Sequence, residues 1–92
     1  MDFQGKVVAI TGSLRPLERS EVIEFINVKG GTYQNYVSSQ TDVLIIGHRQ
    51  LTLFELDHYS KKYEKAKMLI NNGQNITLIG EEDFFTFFQE SL

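Results

Sequence analysis

The stretch Lys6-Val7-Val8-Ala9-Ile10-Thr11-Gly12 decides the fold, because its middle is continuously apolar and a glycine closes it. A short apolar run of this kind predicts a strand that is buried on both faces. The same pattern returns in Val43-Leu44-Ile45-Ile46-Gly47. Strands buried on both faces are typical of a mostly parallel sheet with helices on both sides.

Helical and strand patterns alternate on either side of these two runs. Residues 17–29 place Val22, Ile23 and Ile26 on one helical face, and Gly30-Gly31 ends that helix. A strand is predicted at 32–37, followed after the second apolar run by a loop at 48–59 with a helical turn at 53–56. Ser60 caps the next helix, which ends at Asn72-Gly73 and turns four side chains inward: Tyr63, Ala66, Leu69 and Ile70. The last two elements are a strand at 76–79 and a phenylalanine-rich helix at 81–91.

The predicted order is therefore β-α-β-β-α-β-α, in a single α/β domain covering residues 1–92. We expect a four-stranded, mostly parallel sheet flanked by about three helices. In such sheets ligands bind at the carboxyl ends of the strands. The segments that follow the buried strands are consequently the first places to look for a site.

The amino-acid composition excludes several classes of function. The chain has 92 residues and no cysteine, which excludes disulfides, thiolate zinc sites and thiol catalysis. The net charge of −3 argues against a broad DNA-binding surface, but Lys61, Lys62, Lys65 and Lys67 form a local basic segment. We find no signal peptide and no apolar run approaching the roughly 20 residues that span a bilayer, so we expect a cytoplasmic protein without a membrane partner.

The segment from Thr11 to Arg19 is the best candidate for a site, because it joins the first strand to the first helix. Gly12 would let a ligand approach the backbone, Thr11 offers a hydroxyl, and the following helix points its positive end toward the turn. Arg19 could bend back toward an anion, and Lys62 could add a second charge. The same residues also fit a simple tight turn and two solvated helix cations, with Arg19 paired to Glu18 or Glu21.

The sequence lacks the residue patterns that nucleotide binding, metal binding and nucleophilic catalysis require. There is neither a P-loop nor a dinucleotide fingerprint around Gly12. His48 and His58 offer too few ligands for a metal site, and Ser13 fits a helix entry better than a nucleophile. The acids of residues 81–83 suit the helix dipole. We predict a non-catalytic domain without a metal or a cofactor.

The chain resembles a BRCT domain over roughly residues 2–88. The matching pieces occur in the family's order and spacing: Phe3-x-Gly5-Lys6, Val8-Ala9-Ile10-Thr11-Gly12, Glu18-Arg19-Ser20-Glu21, Gly30-Gly31, Val37 through Gly47, Ser60 through Ala66, and Glu82-Asp83-Phe84. Many eukaryotic members carry a tryptophan in the last helix, which this chain lacks. We expect Phe84 or Phe85 to fill that space.

The resemblance implies a phosphate pocket made by the Thr-Gly pair after the first strand and by a lysine of the second helix. These roles fall on Thr11, Gly12 and Lys62. Similarity to the BRCT domains of replication factor C and bacterial DNA ligase adds Arg19, which matches an arginine that helps to hold DNA. We expect additional contacts from Ser13, Arg15, Lys61 and Lys65.

Within the family, the chain is most similar to BRCT domains attached to bacterial DnaQ-like exonucleases, of the DNA polymerase III epsilon type. The features behind this comparison are the long segment before Ser60-Lys61-Lys62 and the Asn72-Gly73-Gln74-x-Ile76 motif. The implied ligand is a DNA end or break that carries a 5′ phosphate. The alternatives are a phosphorylated protein segment in the same pocket, and a partner domain docked without phosphate.

Overall fold

A computed structural model describes residues 2–47 and 61–91 of the chain. Its elements are β1 (Val7–Thr11), α1 (Arg19–Val28), β2 (Thr32–Tyr33), β3 (Val43–Ile46), α2 (Lys61–Asn71), β4 (Thr77–Gly80) and α3 (Glu81–Glu90). The predicted β-α-β-β-α-β-α order is confirmed. The predicted loop at 48–59, with its helical turn at 53–56, and the predicted cap at Ser60 lie outside the described residues.

The strands form one four-stranded sheet in the order β2-β1-β3-β4, and every neighbouring pair is parallel. The register pairs Thr11 of β1 with Ile46 of β3, and Ile46 in turn with Gly80 of β4. The carboxyl ends of three strands therefore lie side by side. The segments that leave these ends are brought to one edge of the sheet.

Helices cover both faces of the sheet, as predicted, because successive strand residues point to opposite sides. Val8 and Ile10 of β1 belong to a core with α1 and α3, whereas Ala9 belongs to a second core with Ala66 of α2. Both cores are made mainly of aliphatic side chains. Within α1, Val22 and Ile26 are buried as predicted, while Ile23 is only partly so.

Two predicted boundaries were wrong by two residues or more. The first helix begins at Arg19 rather than at residue 17, after a turn in which the Leu17 N–H donates to the Leu14 carbonyl. The strand predicted at 32–37 ends at Tyr33, because the chain must then cross β1 to reach β3 on its other side. Val37, within that crossing, is buried against the α2 face.

An aromatic cluster, here Phe3, Phe25, Phe84, Phe87 and Phe88, fills the space between α1, α3 and the N-terminal segment. Phe25 is its centre, since its ring lies 4.9 Å from Phe88 and 5.9 Å from Phe84, measured between centroids. Phe84 is fully buried, but Phe85 is only partly buried. Of the two residues predicted to fill the place of the missing tryptophan, Phe84 is therefore the one that the core encloses.

Candidate phosphate-binding site

The candidate site is built on the turn that follows β1. Gly12 has a φ of 82°, a left-handed conformation that favours glycine. Behind the turn, the Gly47 N–H donates to the Thr11 carbonyl at 2.7 Å. A Cβ atom at Gly47 would lie 2.5 Å from the Ser13 carbonyl oxygen. The turn is thus packed directly against the segment that leaves β3, and two glycines make that approach sterically feasible.

Arg19, the first residue of α1, bends back to this turn. One guanidinium nitrogen, Nη2, donates to the Gly12 carbonyl at 3.0 Å, and Nη1 lies 3.5 Å from the Tyr33 hydroxyl. The alternative pairing with Glu18 or Glu21 is not formed; Glu21 instead accepts a hydrogen bond from the Glu18 N–H. Arg19 is exposed, so the rest of its guanidinium faces solvent.

Lys62 reaches the same place from the other side of the sheet. Its Nζ donates to the Ile10 carbonyl at 2.8 Å, across 52 positions of sequence. Burial lowers the pKa of Lys62 below its ordinary value, and the charge of Arg19 lowers it further. The carbonyls that accept from the two cations belong to Ile10 and Gly12, two positions apart at the end of β1, so the two cations lie near each other. We refer to Arg19 and Lys62 as the cation pair.

The cation pair can accept an anion. A lysine ammonium has three N–H donors and a guanidinium has five, so each cation keeps donors free after its contact with a main-chain carbonyl. Within residues 2–47 and 61–91, no carboxylate forms an ion pair with either cation. An oxyanion between the two would relieve their repulsion and use the remaining donors.

The other predicted site residues are placed less uniformly. Thr11 is 7% exposed, so only a small part of its side chain could meet a ligand. The Ser13 hydroxyl oxygen accepts a long hydrogen bond, 3.4 Å, from the Arg15 N–H. Arg15 lines a depression of about 230 Å³ beside Arg19, whereas Lys61 and Lys65 line another of about 190 Å³ beside Lys62. These additional residues thus form two groups, one on each side of the cation pair.

Two tyrosines near the cation pair are not among the predicted site residues. The sequence predicts Tyr33 only as a strand residue, yet its hydroxyl lies at the Arg19 guanidinium. Tyr36 is predicted in the same strand, but it follows β2 and is 55% exposed. The available signal was the spacing of the two tyrosines, and it could not be interpreted without knowing where β2 ends.

Two kinds of site are absent from the part of the chain that the structure describes. There, no three histidine, cysteine, aspartate or glutamate residues lie close enough to hold a metal ion. No helix among these residues is both long and apolar enough to cross a membrane.

The fold and the edge just described define an α/β module with a four-stranded parallel sheet and a cationic turn after its first strand. Sequence comparison identifies the family to which this α/β module belongs. The profile of the BRCA1 C Terminus (BRCT) domain matches residues 1–70, and the chain therefore belongs to the BRCT family. The predicted family is confirmed.

Curated relatives are similar to almost the whole chain. A protein of Thermotoga maritima is 35% identical over 85 residues, or 92% of this chain and 10% of the relative. Proteins of Clostridium novyi and Coxiella burnetii are each 37% identical, over 82 and 83 residues, which is 89% and 90% of this chain and 10% of each relative. All three are named DNA ligase. The chain spans about a tenth of their length.

Among solved structures, the C-terminal BRCT domain of human XRCC1 is similar to this chain, with a TM-score of 0.64 and 17% identity. The match covers 97% of this chain and 80% of that domain. At this identity the likeness concerns the fold, and it agrees with the single four-stranded domain and three helices described above.

Proposed function

We propose that this BRCT domain is a non-catalytic module that holds the 5′ phosphate of a DNA end or break. The observation that supports this proposal is the convergence of Arg19 and Lys62 on the main-chain carbonyls of Gly12 and Ile10. Two cations from helices on opposite faces of the sheet meet at the carboxyl end of β1. A terminal phosphate carries about −1.5 to −2 charges at neutral pH and matches a pair of positive groups.

In this proposal the two cations have different tasks. Arg19 makes a directional contact through its planar guanidinium, while Lys62 provides a compact charge in a partly desolvated position. The N–H of Gly12 and the hydroxyl of Thr11 donate to the remaining phosphate oxygens. Tyr33 helps to orient the guanidinium of Arg19 through its hydroxyl.

A phosphate at a DNA end suits this domain better than long stretches of DNA. The net charge is −3, and extended DNA binding usually requires a basic excess. A single terminal phosphate needs only a few cations. The relatives named DNA ligase favour a ligand from DNA over the alternative, a phosphorylated protein segment in the same pocket.

The proposed role in the cell is to direct an attached enzyme to its DNA substrate in replication or repair. The resemblance to exonuclease-attached BRCT domains stays a prediction, because the relatives reported above carry the name DNA ligase. Whether the attached enzyme is a ligase or an exonuclease, the proposed role of the domain is the same: it directs that enzyme to a DNA end. The cytoplasmic location also stays a prediction.

The direct test is a titration of fluorescently labelled duplexes that are identical except for a 5′ phosphate or a 5′ hydroxyl. We expect tighter binding of the phosphorylated duplex. Lys62→Gln should weaken that binding roughly tenfold to hundredfold, the cost of one charged hydrogen bond, and leave the 5′ hydroxyl duplex unaffected. Lys67→Gln is the matched control, since Lys67 is exposed on the same helix and lies outside the cation pair.

Each contrary result has its own meaning. Equal affinity for both duplex ends, together with tight binding of a phosphoserine or phosphothreonine peptide, would replace DNA by a phosphoprotein as the ligand. Absence of binding to either, with Lys62→Gln leaving partner association intact, would reduce the domain to a scaffold for a partner domain. Turnover of a phosphate ester that survives repurification and disappears with a point mutation would contradict the non-catalytic role.

A further inference from the structure

A second depression, of about 190 Å³, opens beside the cation pair on the α2 side of the sheet. Its described lining comes from two segments, the chain that follows β2 and the start of α2. These lining residues are Asn35, Tyr36, Val37, Lys61, Lys62 and Lys65. Lys62 lines this depression and also belongs to the cation pair, where its Nζ lies 2.8 Å from the Ile10 carbonyl. The depression and the cation pair therefore share one lysine.

Charge distinguishes this depression from the one beside Arg15. Among the residues that the structure describes, three lysines and no acidic residue line it, whereas Glu18 lines the depression beside Arg15. Glu64 is exposed on the same helix but is not part of the lining. A polyanion whose first phosphate lies at the cation pair would therefore be drawn toward α2 rather than toward α1.

Tyr36 gives the depression an aromatic wall. Its side chain is 55% exposed, so the ring is accessible to a ligand. Exposed aromatic rings next to lysines are the combination with which proteins bind unpaired nucleic acid strands. The ring stacks on a base and the lysines follow the backbone phosphates.

We propose that the surface formed by Tyr36, Lys61 and Lys65 binds the unpaired nucleotides that follow a 5′ phosphate. This proposal rests on the proposed function, since it takes the terminal phosphate at the cation pair as the starting point. The second phosphate of the strand lies at Lys61 and Lys65, and a base stacks on Tyr36. The preferred ligand is then a 5′-phosphorylated end whose first nucleotides are single-stranded.

The stacking part is tested with two 5′-phosphorylated duplexes, one blunt and one with a three-nucleotide 5′ overhang. The wild-type domain should bind the overhang more tightly. Tyr36→Ala should weaken binding to the overhang roughly 5- to 100-fold, the range for one stacked base, with little change for the blunt end. Tyr36→Phe keeps the ring and should keep the preference. Because Tyr36 is exposed, both variants should retain the wild-type denaturation midpoint.

The electrostatic part is tested by salt titration of the overhang duplex. Lys65→Gln should lower the slope of log affinity against log salt concentration by about 0.7, the value for one lost phosphate contact on a single strand. Lys67→Gln removes the same charge from the same helix outside the depression and should leave the slope unchanged. Equal slopes for the two variants would contradict the placement of the second phosphate.

The two proposals fail in different ways. Equal binding of blunt and overhanging ends, with no effect of Tyr36→Ala, would overturn this inference even if the domain still distinguishes a 5′ phosphate from a 5′ hydroxyl. An overhang preference that depends on Tyr36 but not on the 5′ phosphate would support the single-strand surface and overturn the proposed function.

Discussion

The aromatic cluster and the cation pair are built in opposite ways. The cluster gathers apolar rings between α1 and α3 on one face of the sheet, and Phe84 at its base is completely buried. The cation pair joins side chains of α1 and α2, which cover opposite faces, and each cation donates to a main-chain carbonyl near the end of β1. Exclusion of water holds the first region together, whereas the second keeps unused donors at the surface.

The difference separates folding from recognition. Removing a buried ring costs the free energy of transfer from water and leaves a cavity. Removing an exposed guanidinium costs the core little, but it takes away a contact to any bound anion. Substitutions in the two regions should therefore affect different measurements: stability for the aromatic cluster and phosphate binding for the cation pair.

Phe84→Ala should have the largest effect. Because the ring is fully buried, the expected loss is about 3–5 kcal/mol in the free energy of unfolding, measured by chemical denaturation. Where the variant is still folded, its preference for 5′-phosphorylated DNA should be unchanged. Phe85→Ala is the matched control and should cost clearly less, since Phe85 is only partly buried.

A Phe85→Ala loss as large as that of Phe84→Ala would mean that α3 packs with a different face toward the sheet. A loss of phosphate preference in folded Phe84→Ala would show that the two regions are coupled after all.

Gly47→Ala should affect stability and phosphate binding at once, because this glycine lies behind the turn of the site. The added methyl group would lie 2.5 Å from the Ser13 carbonyl oxygen, so the turn after β1 must move. We expect a stability loss of about 1–3 kcal/mol, typical of overpacking, together with a weaker phosphate preference. Gly73→Ala is a control without a steric conflict, although its positive φ also adds strain. A Gly47→Ala variant with wild-type binding would contradict the described packing of the turn.

The smallest expected effect is the pH response of Lys62. Its lowered pKa means that Lys62 loses its charge at a lower pH than an ordinary lysine does. Phosphate affinity should therefore fall as the pH rises through this lowered pKa. Stability should change in the opposite direction, because the unfolded chain holds the lysine proton to higher pH than the folded chain does. Titrations between about pH 8 and 11 avoid the ionisation of the phosphate itself. Lys62→Arg stays charged and should remove both trends; unchanged trends would assign them to another group.

The fold was largely predictable, because buried elements show characteristic patterns of apolar residues in the local sequence. The apolar runs ending at Gly12 and Gly47 located two strands, and the inward positions of α2 followed from helical periodicity. The end of β2 was not predictable, since it depends on where the chain must cross β1. That geometry is a property of the strand order, which no local pattern contains.

The site was predictable in part. Thr11, Gly12 and Arg19 lie close together in sequence, and a strand-to-helix turn brings them together in any parallel sheet. Lys62 was a candidate from its charge alone, but its role as the lysine of the pocket came from the family resemblance, because its contact spans 52 positions. The proposed roles of Tyr33 and Tyr36 depend on the direction of the chain after β2. Residue type alone gives these tyrosines no more than a preference for strands.

The central claim is that Arg19 and Lys62 act on one phosphate, and a double-mutant cycle tests it most directly. Arg19→Gln, Lys62→Gln and the double variant would each be titrated with 5′-phosphate and 5′-hydroxyl duplexes. With the phosphorylated duplex, we predict that the loss in the double variant differs from the sum of the two single losses by at least about 0.5 kcal/mol. With the hydroxyl duplex we predict no such difference. Additive losses that are the same for both duplexes would contradict the claim.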